Sequence, residues 1–155
     1  MKDVYIYKEK KKEKYRMLIT ISGIDEVGLI TQKDFAIISY LSKQNSEKIG
    51  ELVFFALSNS DDELIMNDIN SKWSMKWFNL SSSKKVMEKY NLIGFCETNN
   101  QFKLELFMKN GSAFSVRESQ PEWTKHCFET KPTEKELGEM ILELFERKEK
   151  EEGIE

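Results

Sequence analysis

The stretch N-S-E-K-I-G-E-L-V-F-F-A-L, Asn45–Leu57, is echoed near the far end of the chain by T-E-K-E-L-G-E-M-I-L-E-L-F, Thr133–Phe145. Ile49-Gly50-Glu51-Leu52-Val53 lines up with Leu137-Gly138-Glu139-Met140-Ile141. Each copy opens on a capping-type residue, passes through acidic and lysine residues, and then turns apolar. In the second copy Pro132 cannot extend a strand ladder, Thr133 can accept a hydrogen bond as N-cap, and Glu136 stands where a capping box needs it. Leu137, Met140, Ile141, Leu144 and Phe145 follow at i, i+3, i+4, i+7 and i+8, the stripe of a helix lying on a core. Glu143 with Arg147 and Glu146 with Lys150 are spaced for ion pairs on the wet side. In the first copy Asn45 or Ser46 is the natural N-cap. There Ile49 and Leu52–Leu57 predict a helix buried on nearly every side.

A glycine inside a helix costs about 1 kcal/mol relative to alanine. It recurs at the same register, beside Val53 and Leu57 in one copy and beside Ile141 and Phe145 in the other. The missing Cβ therefore points to a close approach of each helix to a strand or to another helix. Each copy also follows a short apolar or aromatic segment, Phe35–Leu41 and His126–Glu129. Two strand-to-helix units on one sheet would account for the echo. The predicted fold is α+β: an antiparallel or mixed β-sheet with two similar packed helices, about 46–58 and 133–149, and shorter helices between.

The rest of the chain fits that frame. Val4–Tyr7 and Tyr15–Ile21 alternate β-branched and aromatic residues with polar ones and predict two strands. Lys8–Lys14 between them reads as a charged, solvated turn. Leu29–Thr31 and Phe35–Leu41 predict two further strands. Leu64, Ile65, Ile69, Trp73 and Trp77 recur at roughly helical spacing, and Lys84–Tyr90 predicts a short helix. Leu92–Glu97, Phe102–Lys109 and Ala113–Glu118 are β-like. Asn110-Gly111 between the last two is the strongest local hairpin signal, and Pro121–Lys125 is a turn or a short helix.

A length of 155 residues, 39% hydrophobic and 33% charged, suits a single domain over 1–155, with 150–155 a frayed tail. Leu52–Leu57 is too short to span a bilayer, and the start of the chain does not resemble a signal peptide. A cytoplasmic protein is expected, monomeric when free and without a membrane partner. In a reducing compartment Cys96 and Cys127 are expected to be separate buried thiols. The net charge of −3 is unevenly spread. Lys8–Arg16 is basic, whereas Asp61-Asp62-Glu63 and the end from Glu146 are acidic. An acidic chain argues against general nucleic-acid binding.

Catalytic constellations are missing from this sequence. His126 is the only histidine, and its neighbour Cys127 would point to the opposite face of a strand. One histidine and two distant cysteines do not have zinc-site spacing. The acidic triplet lacks the spacing of a calcium loop, and no glycine-rich phosphate cradle occurs. No cofactor is expected. Recognition remains: Trp73, Trp77 and Trp123 are interface anchors or lids over the core. Asp61, Asp62, Glu63 and Asp68 lie just before the first two and would steer a basic partner.

Ile38-Ser39-Tyr40-Leu41-Ser42, Glu47-Lys48-Ile49-Gly50-Glu51-Leu52 and Ala56-Leu57-Ser58-Asn59-Ser60 together resemble the first helix unit of immunity proteins from bacterial contact-dependent growth inhibition systems. Met87-Glu88-Lys89-Tyr90, the strands after it and Thr133-Glu134-Lys135-Glu136-Leu137-Gly138-Glu139 resemble the same family in the same order. The resemblance covers roughly Ile37 to Phe145. It implies a non-catalytic protein that binds and neutralises the cognate C-terminal toxin domain, often a nuclease, of a delivered effector. The contact residues expected on this chain are Asp61, Asp62, Glu63, Asp68, Trp73, Trp77 and Trp123. Two other classes remain open: a small metal-dependent hydrolase or nuclease working through carboxylates, and an adaptor module.

Overall fold

The computed structural model describes residues 2–65, 73–111, 113–116 and 119–153. Six strands form one antiparallel sheet in the order β3-β2-β1-β4-β5-β8. Its members are β1 (Lys2–Glu9), β2 (Tyr15–Ile24), β3 (Ile30–Leu41), β4 (Tyr90–Thr98), β5 (Gln101–Leu106) and β8 (Lys125–Phe128). The two edge strands are the ones that feed the two echoed helices. β3 leads through a single 3-10 turn, Lys43–Asn45, into α1 (Ser46–Ser58), and β8 leads into α4 (Glu134–Glu151). Both helices return over the same face. There they cover Val4, Ile6, Met17, Ile19, Phe95, Leu104 and Leu106 with Ile49, Val53, Leu137, Ile141, Leu144 and Phe145. Burying a side chain of this size is worth about 1.5–3 kcal/mol, so the echoed stripes are a principal source of stability.

The glycines stand where the helices cross. A Cβ on Gly50 would lie 1.8 Å from the Glu134 carbonyl oxygen, and a Cβ on Gly138 would lie 1.7 Å from the Ser46 carbonyl oxygen. The neighbour that the sequence left open is thus the other helix. The contacts are reciprocal: Gly50 meets Glu134, four residues before Gly138, and Gly138 meets Ser46, four residues before Gly50. At the centre of the sheet Lys2 pairs with Glu97, and Glu9 pairs with Tyr90. Moving each residue by the offset between the two glycines turns the first of these pairs into the second. It also turns one helix contact into the other. One approximate two-fold therefore relates β1-β2-β3-α1 to β4-β5-β8-α4, and the echo is the part of this duplication still readable in the residues.

The other face carries a second core. Tyr7, Leu18, Tyr90 and Leu92 pack against Trp77, Phe78 and Val86, which come from α2 (Trp73–Phe78) and α3 (Ser83–Lys89). A two-stranded sheet, β6 (Met108–Asn110) and β7 (Ala113–Ser115), lies apart from the main one. Phe107 separates β5 from β6, so the single strand expected over Phe102–Lys109 is broken. Its ring stands edge-on to Tyr5 at 5.8 Å, over Gly94, where a Cβ would come within 2.9 Å of it.

Several boundaries differ from the sequence expectation. The two strands expected in 29–41 are one, β3. At Asn110-Gly111 the hairpin forms, but Asn110 pairs with Ala113 and is a strand residue; of the two, only Gly111 takes a positive φ. In the main sheet the corresponding turn is Asn99-Asn100, with φ of 52° and 62°, between paired Thr98 and Gln101. Asparagine reaches this left-handed region because its short side chain can bond locally. Helix α1 is buried along one side only: Phe55 is 57% exposed. Cys127 is exposed and Cys96 half-buried, and both are free. They flank Lys103 on a row of the second face, where Cys96 pairs with Lys103 and Lys103 with Cys127.

The predicted capping box is present. Thr133 Oγ1 accepts from the Glu136 amide at 3.1 Å, and Glu136 Oε1 accepts from the Thr133 amide at 3.1 Å. The second bond holds the Glu136 carboxyl below its ordinary value of 4.5. A carboxylate with a depressed folded-state pKa adds stability above its unfolded pKa, and that stability is lost as pH falls through the folded value. Thr133→Ala is expected to cost about 1 kcal/mol at neutral pH by urea melts. The stability gap between the parent and Glu136→Ala should shrink as the pH is lowered below about 4.5. A gap that stays constant down to pH 3 would contradict the capping role.

Candidate partner-binding surface

After α1 the chain does not leave the sheet. Ser60 Oγ donates to the Ala56 carbonyl at 2.8 Å and accepts the Ser22 amide at 3.0 Å. The following residues run beside the end of β2. The Asp61 amide donates to Ser22 O, the Ile24 amide to Glu63 O, and the Ile65 amide to Ile24 O, at 3.1, 2.9 and 2.7 Å. Ile24 and Leu64 form a parallel bridge. Gly23 makes the approach possible, since a Cβ there would lie 2.7 Å from Glu63 O. The acidic triplet, expected to be a solvated loop, is therefore a held strand-like segment.

Lys33 of β3 fixes its charges. The side chain is only 7% exposed, and its Nζ lies 3.0 Å from Asp61 Oδ1, 3.0 Å from Glu63 Oε2 and 3.1 Å from the Asn59 carbonyl. Burial works against the lysine charge, but the hydrogen bonds to Asp61 and Glu63 outweigh it and raise its pKa. Asp61 is shifted down, first by the Glu63 amide that donates to it and then by Lys33. Asp62 is exposed beside them.

Next to this segment is the β2–β3 hairpin. Asp25 Oδ1 accepts the amides of Val27 and Leu29 at 3.0 and 2.8 Å, and Gly28 supplies a φ of +85°. These bonds fix the loop. They also hold Val27 and Leu29 outward, 78% and 64% exposed, while Leu64 is 61% exposed. Neither exposure was visible in the sequence, where Leu29 reads as a strand residue and Leu64 as part of a helix.

Two of the expected aromatic anchors, Trp77 and Trp123, are not beside it. Trp77 is 7% exposed. It belongs to the second core, and its carbonyl accepts from the Arg16 guanidinium, which also donates to Tyr90 Oη at 3.2 Å. Trp123 packs against the main core, with its carbonyl taking a bond from Arg147 at 3.3 Å. Asp68 lies outside the described residues, as does the side chain of Trp73. The structure thus brings together Asp61, Asp62 and Glu63 and separates them from Trp77 and Trp123.

Two other groupings were not visible in the sequence. The basic run at the first hairpin and the acidic end of the chain meet. Lys8 Nζ lies 2.5 Å from Glu149 Oε1, and Lys10 Nζ lies 2.6 Å from Glu152 Oε2, which also receives Lys109 at 3.9 Å. Lys8 stands 4.2 Å over the Tyr15 ring, and the Tyr15 hydroxyl is buried without a hydrogen-bond partner among the described residues. Burial first, then the charge of Glu149, pushes the tyrosine pKa up. A cavity of about 290 Å³ opens over this cluster, with Lys12, Lys43, Glu139 and Glu146 among its lining. At the helix crossing Glu47, Glu51 and Glu134 bring carboxylate oxygens within 4.8 Å of one another, all three residues exposed. His126 and Cys127 do point to opposite faces. His126 shares its face with Phe128, the rings edge-on at 4.6 Å.

No family model matches the chain, and no curated protein does. Solved structures match in fold. A protein of unknown function from Neisseria meningitidis superposes with a TM-score of 0.61 and 11% identity, covering 94% of each chain. A chain of the CdiA-CT/CdiI toxin and immunity complex from Yersinia pseudotuberculosis superposes with a TM-score of 0.62 and 10% identity, over 95% of this chain and 98% of that one. At such identity the likeness is one of fold. Among the described residues no helix is long and apolar enough to cross a membrane.

Proposed function

We propose that this protein is an immunity protein that binds and neutralises the toxin domain of a contact-dependent growth inhibition effector. The observation that carries the proposal is the end-to-end likeness to a chain of a toxin and immunity complex, which spans both helix units and the sheet between them. It agrees with the resemblance seen in the sequence, where the same two units carried the match. Inhibition on this reading is stoichiometric and non-catalytic, and it takes place in the cytoplasm of the cell that makes the protein. The toxin is a nuclease, the class whose basic substrate-binding face suits an acidic inhibitor.

The site geometry supports recognition rather than turnover. Asp61, one of the carboxylates (with Asp62 and Asp68) that a metal-dependent hydrolase would draw on, is occupied by Lys33 and by a backbone amide. Mixing the purified protein with the toxin domain encoded immediately upstream should give a one-to-one complex and abolish toxin activity at equimolar ratio. Substoichiometric protein that removes toxin activity by turnover would point to the enzyme class. Weak binding of many unrelated chains would point to the adaptor class.

A further inference from the structure

We propose that the toxin docks on the end of the β2–β3 hairpin together with the segment beside it, with Val27, Leu29 and Leu64 as the dry centre and Glu26, Asp62 and Glu63 as the rim. The proposal rests on the immunity reading and names the surface and the chemistry of the partner: a basic protein face around an apolar patch. Three of the most exposed large apolar side chains of the molecule, at 78%, 64% and 61%, stand on this hairpin loop and on the segment bridged to β2 beside it. An exposed apolar group rimmed by charge is the anatomy of an interface, in which a desolvated centre supplies the energy and a polar rim the specificity.

Charge decides what covers it. Asp25, Glu26, Asp61, Asp62 and Glu63 lie on the same loop and segment as these side chains. Lys33 is buried beneath Asp61 and Glu63, and among the described residues Lys2 is the other cation whose field reaches Asp61. The surplus is negative, and Glu26 and Asp62 make no ion pair among the described residues. A second copy of this chain would bring like charges together at the same spot, whereas a surface of lysines and arginines would be drawn to it.

The surface is also built before any partner arrives. Asp25 clamps the hairpin loop through two amides, Ser60 ties the start of the acidic segment to β2 and α1, and Lys33 holds two of its carboxylates. Groups fixed in advance lose little freedom on binding.

The test uses the full chain and the toxin domain encoded upstream. Leu29→Asp with Leu64→Asp should weaken the Kd about a hundredfold, the scale of paired hot-spot losses. Glu26→Lys with Asp62→Lys should lower the association rate at least about tenfold at low salt and flatten its dependence on ionic strength. Glu139→Lys with Glu146→Lys on the exposed side of α4 makes the same change in net charge elsewhere, and should leave the Kd within about twofold. Circular dichroism and a thermal melt check that each variant is folded. Tight binding by the parent that both hairpin variants retain would overturn this surface and leave the immunity reading standing. Failure of the parent itself to bind would overturn both.

Discussion

Alanine at Gly138, or at Gly50, is expected to destabilise the protein by about 3 kcal/mol, although alanine is the better helix former. The two effects oppose each other and can be weighed. Helix propensity favours alanine by about 1 kcal/mol. Against it stands the new Cβ, 1.7 or 1.8 Å from a carbonyl oxygen and 2.5 Å from the carbonyl carbon of the opposite helix. That neighbour is backbone and cannot swing aside, so the helices must separate or tilt and open the core beneath Ile49 and Leu137. Overpacking costs about 1–3 kcal/mol and more where the backbone must move. The packing term wins.

The two-fold adds a sharper expectation. The single substitutions should cost similar amounts. The double variant should cost clearly less than their sum, because a crossing already widened for one Cβ accommodates the second. Urea melts of the three variants measure this. Stabilisation by either alanine would show that the glycine is merely tolerated and not required by the crossing.

Glu149→Ala is expected to cost about 3–5 kcal/mol, several times what a surface ion pair is worth. Lys8 and Glu149 have side chains only 4% and 6% exposed, and Lys8 also donates to the Glu9 and Lys11 carbonyls. Burial already pulls the lysine pKa down, and the bond to Glu149 opposes the shift. Without that carboxylate the ammonium is left buried over the Tyr15 ring and loses its ion-pair partner. Lys8→Met with Glu149→Leu removes the charge together with its partner and should recover most of the loss, as apolar replacements of buried pairs commonly do. A cost below about 1 kcal/mol for Glu149→Ala would mean that the pair behaves as a solvated one.

These two sites mark what the sequence could and could not disclose. The echoed helices were legible because periodicity, caps and glycine register are local signals, and here they occurred twice. The same signals located most strands of the sheet. The crossing partner of the glycines was not legible, since nothing local says which element comes back over a residue without a Cβ.

The ion-pair cluster was hidden for the same reason. Lys8 and Glu149 stand at opposite ends of the chain, so a basic run and an acidic run read as two solvated surfaces when they neutralise each other. Trp77 was misleading because exposure does not follow from residue type. The short helix that carries it buries the ring in the second core, and the helical spacing did not say which face of the sheet that helix would cover. The acidic triplet was found, but not its bond to β2 or its apolar neighbours. Those depend on Gly23, Ser60 and Lys33, three residues that look unremarkable in isolation.

Neutralisation of a cognate toxin is measured most directly by growth. Cells induced to express the toxin domain encoded immediately upstream should stop growing. Co-expression of this protein should restore growth to that of uninduced cells, while co-expression of the Leu29→Asp, Leu64→Asp variant should not. Continued arrest in the presence of the folded parent protein, with no complex recovered from those cells, would contradict the account.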